Sequence, residues 1–151
     1  MKYTYLGKSG LAVSSLCLGT MTFGGTTDEK DSKEMIHRFL DLGGNFVDTA
    51  DVYTGGRSEE IVGKSIRDRR SEVILASKVR MSTAGHVNGQ GSSRKHIMDG
   101  IDGLEQITSI CIRFTYGINL PLWRRRFVRL MIWSLQGKSA ILAARIIYLG
   151  S

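Results

Sequence analysis

The sequence predicts an α/β fold built on a parallel sheet. Two observations carry this expectation. Continuous apolar runs, "LCLG", "NFVDTA" and "EVILASKV", alternate with amphipathic stretches of helical spacing. The runs are apolar throughout instead of every second residue, the pattern of strands covered on both faces. An order of strand, helix, strand, helix, strand, helix then makes successive βα units.

Each element has its own signals. "KYTYLG" and "VSSLCLG" flank "KSGLA", whose Gly10 suits a turn, so the chain opens with a short hairpin that runs on into a strand. "LCLGTMTFGG" reads as that strand followed by a glycine-rich loop. In "TDEKDSKEMIHRFLDLGG" the acids crowd the start, and Met35, Ile36, Phe39, Leu40 and Leu42 recur at helical spacing until Gly43 and Gly44 stop the helix. "NFVDTA" is a buried strand. "SEEIVGKSIRDR" is a helix with Ser58 as its predicted N-cap and Glu59 and Glu60 in its first turn. "EVILASKV" is a further buried strand, "MSTAGHVNGQG" a small-residue loop, and "SSRKHIMDGIDG" a helix capped by Ser92 or Ser93.

A barrel and a doubly wound sheet both fit this order. The polar residues favour the barrel. Asp48 ends one strand and Lys78 ends the next, and polar groups at the C-terminal ends of successive strands mark the active face of a (β/α)8 barrel. "GTMTFGG" lacks the closely spaced glycines of a dinucleotide-binding turn.

Asp48, Tyr53 and Lys78 together make a chemical proposition. A phenol is a poor acid at neutral pH. A lysine ammonium beside it favours the phenolate, and a carboxylate keeps the lysine charged and oriented. The product is a general acid able to protonate a carbonyl oxygen while a hydride reaches the carbon. No side chain supplies a hydride, so a nicotinamide must. Each residue also has an ordinary reading, as a rim tyrosine, a solvated lysine and an aspartate that satisfies loop amides.

"GNFVDTADVYTGGRSEEIVGK" resembles the first signature of the aldo-keto reductases. "KYTYLGKSGLAVSSLCLGTMTFGG" is similar to that family's opening hairpin and first strand, and "EVILASKV" and "GSSRKHIMDGIDG" to its third strand and following helix. The match runs from about Lys2 to Gly103 and is nearest the subgroup that includes the potassium-channel β subunits. The resemblance implies the N-terminal portion of a (β/α)8 TIM barrel: a hairpin plus about three βα units. It also implies NADPH-dependent reduction of a small carbonyl substrate in the cytoplasm. Tyr53 falls on the family's general acid, Asp48 on its carboxylate and Lys78 on its lysine. Thr20 and Met21, with Asp48, fall where the chain approaches the cofactor, and Arg57, Ser58 and Glu59 look like helix-start residues.

The likeness stops near Gly103, and so does the composition. Residues 1–103 hold 14 Lys+Arg against 13 Asp+Glu, a net of +1; residues 104–151 hold 7 against Glu105 alone, a net of +6. The chain therefore divides into 1–103, a truncated reductase barrel, and 104–151, a basic, poorly ordered tail. The family places a catalytic histidine after its fourth strand. His37, His86 and His96 lie in two helices and a loop and read as surface residues. Back-translated and read from each codon's third base, residues 103–151 can yield "LGANYIDLYQIH" and, later, "GKVRYIGCSN", which resemble the family's continuation. The missing histidine would straddle the codons of Phe114 and Thr115. On this reading the tail comes from a shifted frame, and Trp123, Trp133 and the Arg124–Arg126 run are by-products with no nucleic-acid or membrane role. Without the late loops that hold the cofactor in the family, the chain is expected to be inactive. The alternatives are a non-catalytic interaction fragment or channel-β-like regulatory protein, associating with full-length relatives, and a basic membrane- or nucleic-acid-binding protein.

No apolar run reaches the roughly 18 residues of a membrane span, and "MKYTYLGKSG" has no secretory h-region. Cys17 and Cys111 make neither a disulfide framework nor a metal site. They read as buried thiols of a reducing compartment.

Overall fold

The structure is a computed structural model that describes residues 1–6, 10–83, 85–91, 93–103, 109–114 and 141–142. The opening hairpin is β1 (Tyr3–Tyr5) and β2 (Ala12–Ser14), antiparallel, with Thr4 opposite Val13. Gly10 has φ of 72°, which only a residue without Cβ adopts readily. The main sheet holds β3 (Leu18–Gly19), β4 (Phe46–Asp48), β5 (Ile74–Val79), β6 (Ser109–Phe114) and β7 (Ile141–Leu142), all parallel and in that order. Strand order that follows chain order is the barrel progression. A doubly wound sheet would reverse direction at its first strand. The fold is thus α/β with a partial parallel sheet, in agreement with part of a barrel.

Among the described residues, three α-helices connect the strands: α1 (Glu29–Asp41), α2 (Arg57–Ile66) and α3 (Arg94–Gly103). The start of α1 is fixed by Asp28, whose carboxylate accepts the Asp31 N–H at 2.8 Å. It ends at Leu42 and Gly43, the latter at φ of 82°. Its apolar stripe, Ile36 and Leu40, meets Ile61, Val62 and Ile66 of α2, and both press on Val47 and Leu75 of the sheet. That layer and Phe23 form the core. His37 is half-buried between the two helices, its Nε2 bonded to Ser65 O at 2.9 Å, so it is not the surface residue the sequence predicts. The exposed pairs of Arg57 and Lys64 with Glu29 add little, about 0–1 kcal/mol each.

The hairpin sits at the N-terminal end of the strands. Asn45, just before β4, holds it. Its Oδ1 accepts the Ser14 N–H at 2.7 Å, its Nδ2 donates to Ala12 O at 3.1 Å, and its own N–H donates to Ser14 Oγ at 3.2 Å. Tyr3 Oη adds a bond to Gly43 O at 2.7 Å.

Three further expectations are corrected. The N-cap of α2 is Gly56, at φ of 92°, and no side chain caps it. Ser58 is two residues further in and fully buried. Cys17 is exposed, because it lies in the bend between β2 and β3 before the sheet begins. His96 is buried, 2% exposed. The cap of α3 falls to Ser93, whose Oγ accepts the His96 N–H at 3.1 Å. His86 is exposed, as predicted. From the 104–151 tail, the structure describes β6 and β7, both paired in the sheet. Trp123, Trp133 and Arg124–Arg126 lie outside the described residues. No helix among the described residues is long and apolar enough to cross a membrane.

Candidate active site

Strand register decides which side chains meet. Val47 pairs with Leu75 and faces the helices, so Asp48, paired with Ala76, faces the opposite, inner side. Two residues beyond Ala76, Lys78 points to that same side. The inner face at the C-terminal strand ends therefore carries a carboxylate and an ammonium on adjacent strands.

Lys78 Nζ lies 2.5 Å from Asp48 Oδ2, with the side chains 12% and 18% exposed. The same nitrogen donates to Thr49 O at 2.9 Å and to Tyr53 Oη at 3.1 Å, and it stands 4.9 Å from the centre of the tyrosine ring. An ammonium has three N–H groups, and these three acceptors match them. Because Lys78 donates to the phenol oxygen, the phenol's own proton is directed elsewhere. Of the three residues named from sequence, Lys78 touches both of the others.

Tyr53 owes its place to a tight turn, Tyr53–Gly56, between β4 and α2. Its N–H donates to Ala50 O at 3.1 Å, while the Asp51 N–H donates to Lys78 O at 3.1 Å. Thr54 follows at φ of 48°, a left-handed conformation disfavoured for a β-branched residue. Thr54 Oγ1 donates to Phe23 O at 2.6 Å and holds it there. Backbone strain of this kind clusters at functional sites. Gly24 fits the same crossing, since a Cβ there would lie 2.4 Å from Arg57 Cγ. In the sequence Thr54 carries one signal, a threonine followed by two glycines directly after the tyrosine.

The two loop residues predicted for the cofactor part ways. Met21 is 64% exposed. The Thr20 side chain is fully buried and turned to α2: its Oγ1 bonds Ser58 Oγ at 2.9 Å and donates to Asp48 O at 3.1 Å. Ser58 Oγ also donates to Thr20 O at 2.8 Å and lies 3.1 Å from Thr49 Oγ1. This buried hydroxyl knot ties β3, β4 and α2 together beneath the site. In this arrangement the Thr20 side chain braces the loop.

Further ionisable groups stand on the helix side of the strands. Glu59 of α2 accepts a short hydrogen bond from Ser77 Oγ. Burial pushes its carboxyl up to about 7, against the pull of that bond. Burial also raises the Asp51 carboxyl, opposed chiefly by His96. Among the described residues no group of three or more His, Cys, Asp and Glu could hold a metal ion.

With this geometry in place, comparison with known proteins assigns the chain. Residues 15–106 match the model of the aldo/keto reductase family, and the chain belongs to that family. It is 45% identical over 107 residues to a probable voltage-gated potassium channel subunit beta of Oryza sativa subsp. japonica, covering 68% of this chain and 32% of that protein. It is 39% identical over 108 residues to the aldo-keto reductase YhdN of Bacillus subtilis (strain 168), covering 68% and 33%. Among solved structures it is similar to the aldo-keto reductase AKR11C1 from Bacillus halodurans in its holo form. There the TM-score is 0.69 at 30% identity, over 93% of this chain and 48% of that one. The chain spans about a third of the length of these curated relatives.

Proposed function

We propose that the chain carries the proton-delivery half of an NADPH-dependent carbonyl reductase. The observation that supports it best is the Lys78 ammonium held between the Asp48 carboxylate and the Tyr53 hydroxyl. Asp48 holds Lys78 in place. Lys78 stabilises the negative charge left on the Tyr53 oxygen as its proton passes to the carbonyl oxygen. A bound nicotinamide would supply the hydride to the carbonyl carbon, so that hydride and proton together convert aldehyde or ketone to alcohol. The residues fit that group at its reactive end: Asp48, Tyr53 and Lys78 converge at the strand mouths, and exposed Met21 is available to contact it. Asp48 serves both the lysine and the cofactor side of the site.

The 151-residue chain by itself does not turn over in this proposal. It covers about a third of its curated relatives, and the family's strand-four histidine has no counterpart in residues 104–151 as read. A shifted frame after Gly103 accounts for that. In its favour, β6 ends at Phe114, level with Val79 and one residue past the Lys78–Arg113 pairing. That is where the alternative frame puts the histidine codon. A reducing, cytoplasmic setting goes with this reading, and an exposed thiol such as Cys17 persists there.

The test is NADPH oxidation with a simple aldehyde, followed for the chain and for Tyr53→Phe, beside sequencing of the coding DNA across codons 95 to 151. Equal, background rates and an alternative frame continuing the family sequence are expected. Turnover above the Tyr53→Phe control would refute the inactivity. Stops in the alternative frame would refute its origin. A second reading, a regulatory fragment that associates with full-length relatives, draws on the relatives named as channel β subunits. Co-purification with a full-length reductase would favour it.

A further inference from the structure

Beside the turn that carries Tyr53 lies a buried pair that the proton relay does not use. Asp51 sits in the turn that carries Tyr53, and His96 is the third residue of α3. Their side chains are 10% and 3% exposed, and Asp51 Oδ2 lies 3.7 Å from His96 Nε2. Neither atom has a hydrogen-bond partner among the described residues. Leaving a buried polar group unsatisfied costs about 1–3 kcal/mol, and here two such groups face each other. Closing the gap by less than about 1 Å brings them to ordinary hydrogen-bond distance.

The surroundings leave each little choice of partner. Glu59 of α2 is engaged by Ser77. Lys78 of β5 is engaged by Asp48, Thr49 and Tyr53. Lys95 and Asp99, also on α3, pair with each other at 2.6 Å in an exposed position. The His96 backbone is fixed by Ser93. Asp51 is joined through its N–H to Lys78 O, and the far end of the turn is held by Thr54 on Phe23 O. Burial raises the Asp51 carboxyl, and His96 is the strongest influence opposing that rise.

We propose that Asp51 and His96 are a positioning pair: His96 Nε2–H donates to the Asp51 carboxylate and pins to α3 the turn that aims the Tyr53 phenol at Lys78. The proposal rests on Tyr53 being the proton donor, but not on NADPH binding or turnover.

The experiment is nuclear magnetic resonance on the full chain labelled at tyrosine rings and histidine nitrogens. The Tyr53 ring signal is identified by its loss in Tyr53→Phe, and Lys78→Met marks its position without the ammonium. In the unmutated chain, His96 is expected to carry a proton on Nε2. Asp51→Ala and His96→Leu should each move the Tyr53 signal at least halfway to its Lys78→Met position. Asp51→Asn, which keeps an acceptor oxygen, should restore it, and the Asp51→Ala/His96→Leu double variant should move it no farther than either single one. A bare Nε2, an unmoved Tyr53 signal, additive shifts or no rescue by Asp51→Asn would overturn the pairing. If the alanine or leucine variants lose protection of the Val47 and Leu75 amides, the Nε2 proton and the Asp51→Asn signal decide alone. Absent NADPH binding would count against the reductase reading and leave this result untouched.

Discussion

Replacing Lys78 with methionine tests whether the site is the desolvated unit described above. Methionine keeps most of the stem length and removes the ammonium. Asp48 then loses its 2.5 Å partner, and Thr49 O and Tyr53 Oη lose their donor. Removing one member of a buried ion pair costs about 3–5 kcal/mol, because a charge stays buried without compensation. With the two side chains 12% and 18% exposed, some solvent contact remains, and the low end, about 3 kcal/mol, applies. In urea at a slope near ~2 kcal/mol/M, that lowers the unfolding midpoint by about 1.5 M. The double variant Lys78→Met/Asp48→Asn should regain about 1–2 kcal/mol, since stranding a neutral amide costs less than stranding a charge. Midpoints from circular dichroism for all three chains supply the comparison. A single variant within about 0.5 kcal/mol of the unmutated chain, the scatter of ordinary surface changes, would show that water already screens the pair.

Two other perturbations are worth measuring. Glu59, raised from 4.5 to about 7, binds its proton more tightly folded than unfolded, so its contribution is present at low pH and declines as pH rises through that interval. At 1.36 kcal/mol per pH unit, Glu59→Gln should gain up to about 3 kcal/mol on the unmutated chain between pH 4.5 and pH 7.5; parallel stability curves would refute the assignment. Ser58→Ala removes the centre of the hydroxyl knot with Thr20 and Thr49 and should cost about 1–3 kcal/mol in urea unfolding, whereas a helix cap replaced at no cost elsewhere would leave the midpoint unchanged.

Much of the fold was legible because its signals are local. Val47 and Leu75 stand in apolar runs too short for helices and are buried on the helix side, and Asp28 and Gly43 bracket α1 through backbone chemistry that any sequence shows. The inner-face triple was legible for a related reason: Asp48 and Lys78 each end an apolar run, and strand ends in a parallel sheet converge. What escaped depends on contacts between elements. Ser58 has the look of a cap, yet Gly56 at φ of 92° takes that place and frees the serine for Thr20 and Thr49. His96 is a polar residue beside Ile97, and nothing in its neighbours in sequence announces Asp51, 45 residues earlier, as its partner. The family resemblance places Thr20 where the chain approaches the cofactor, but says nothing of where its side chain turns. The side-chain alternation that points Asp48 inward points Thr20 outward to α2.

The hairpin has a practical consequence. Asn45 and Tyr3 fasten β1 and β2 to the end of the sheet opposite Tyr53, and Met1 lies beside Gly43 at that end. The six residues of β5 separate the two ends by on the order of 20 Å. A fluorophore, affinity handle or surface anchor attached ahead of Met1 therefore stands clear of the strand mouths. Ligand titrations on an immobilised chain would report on the site and not on the attachment.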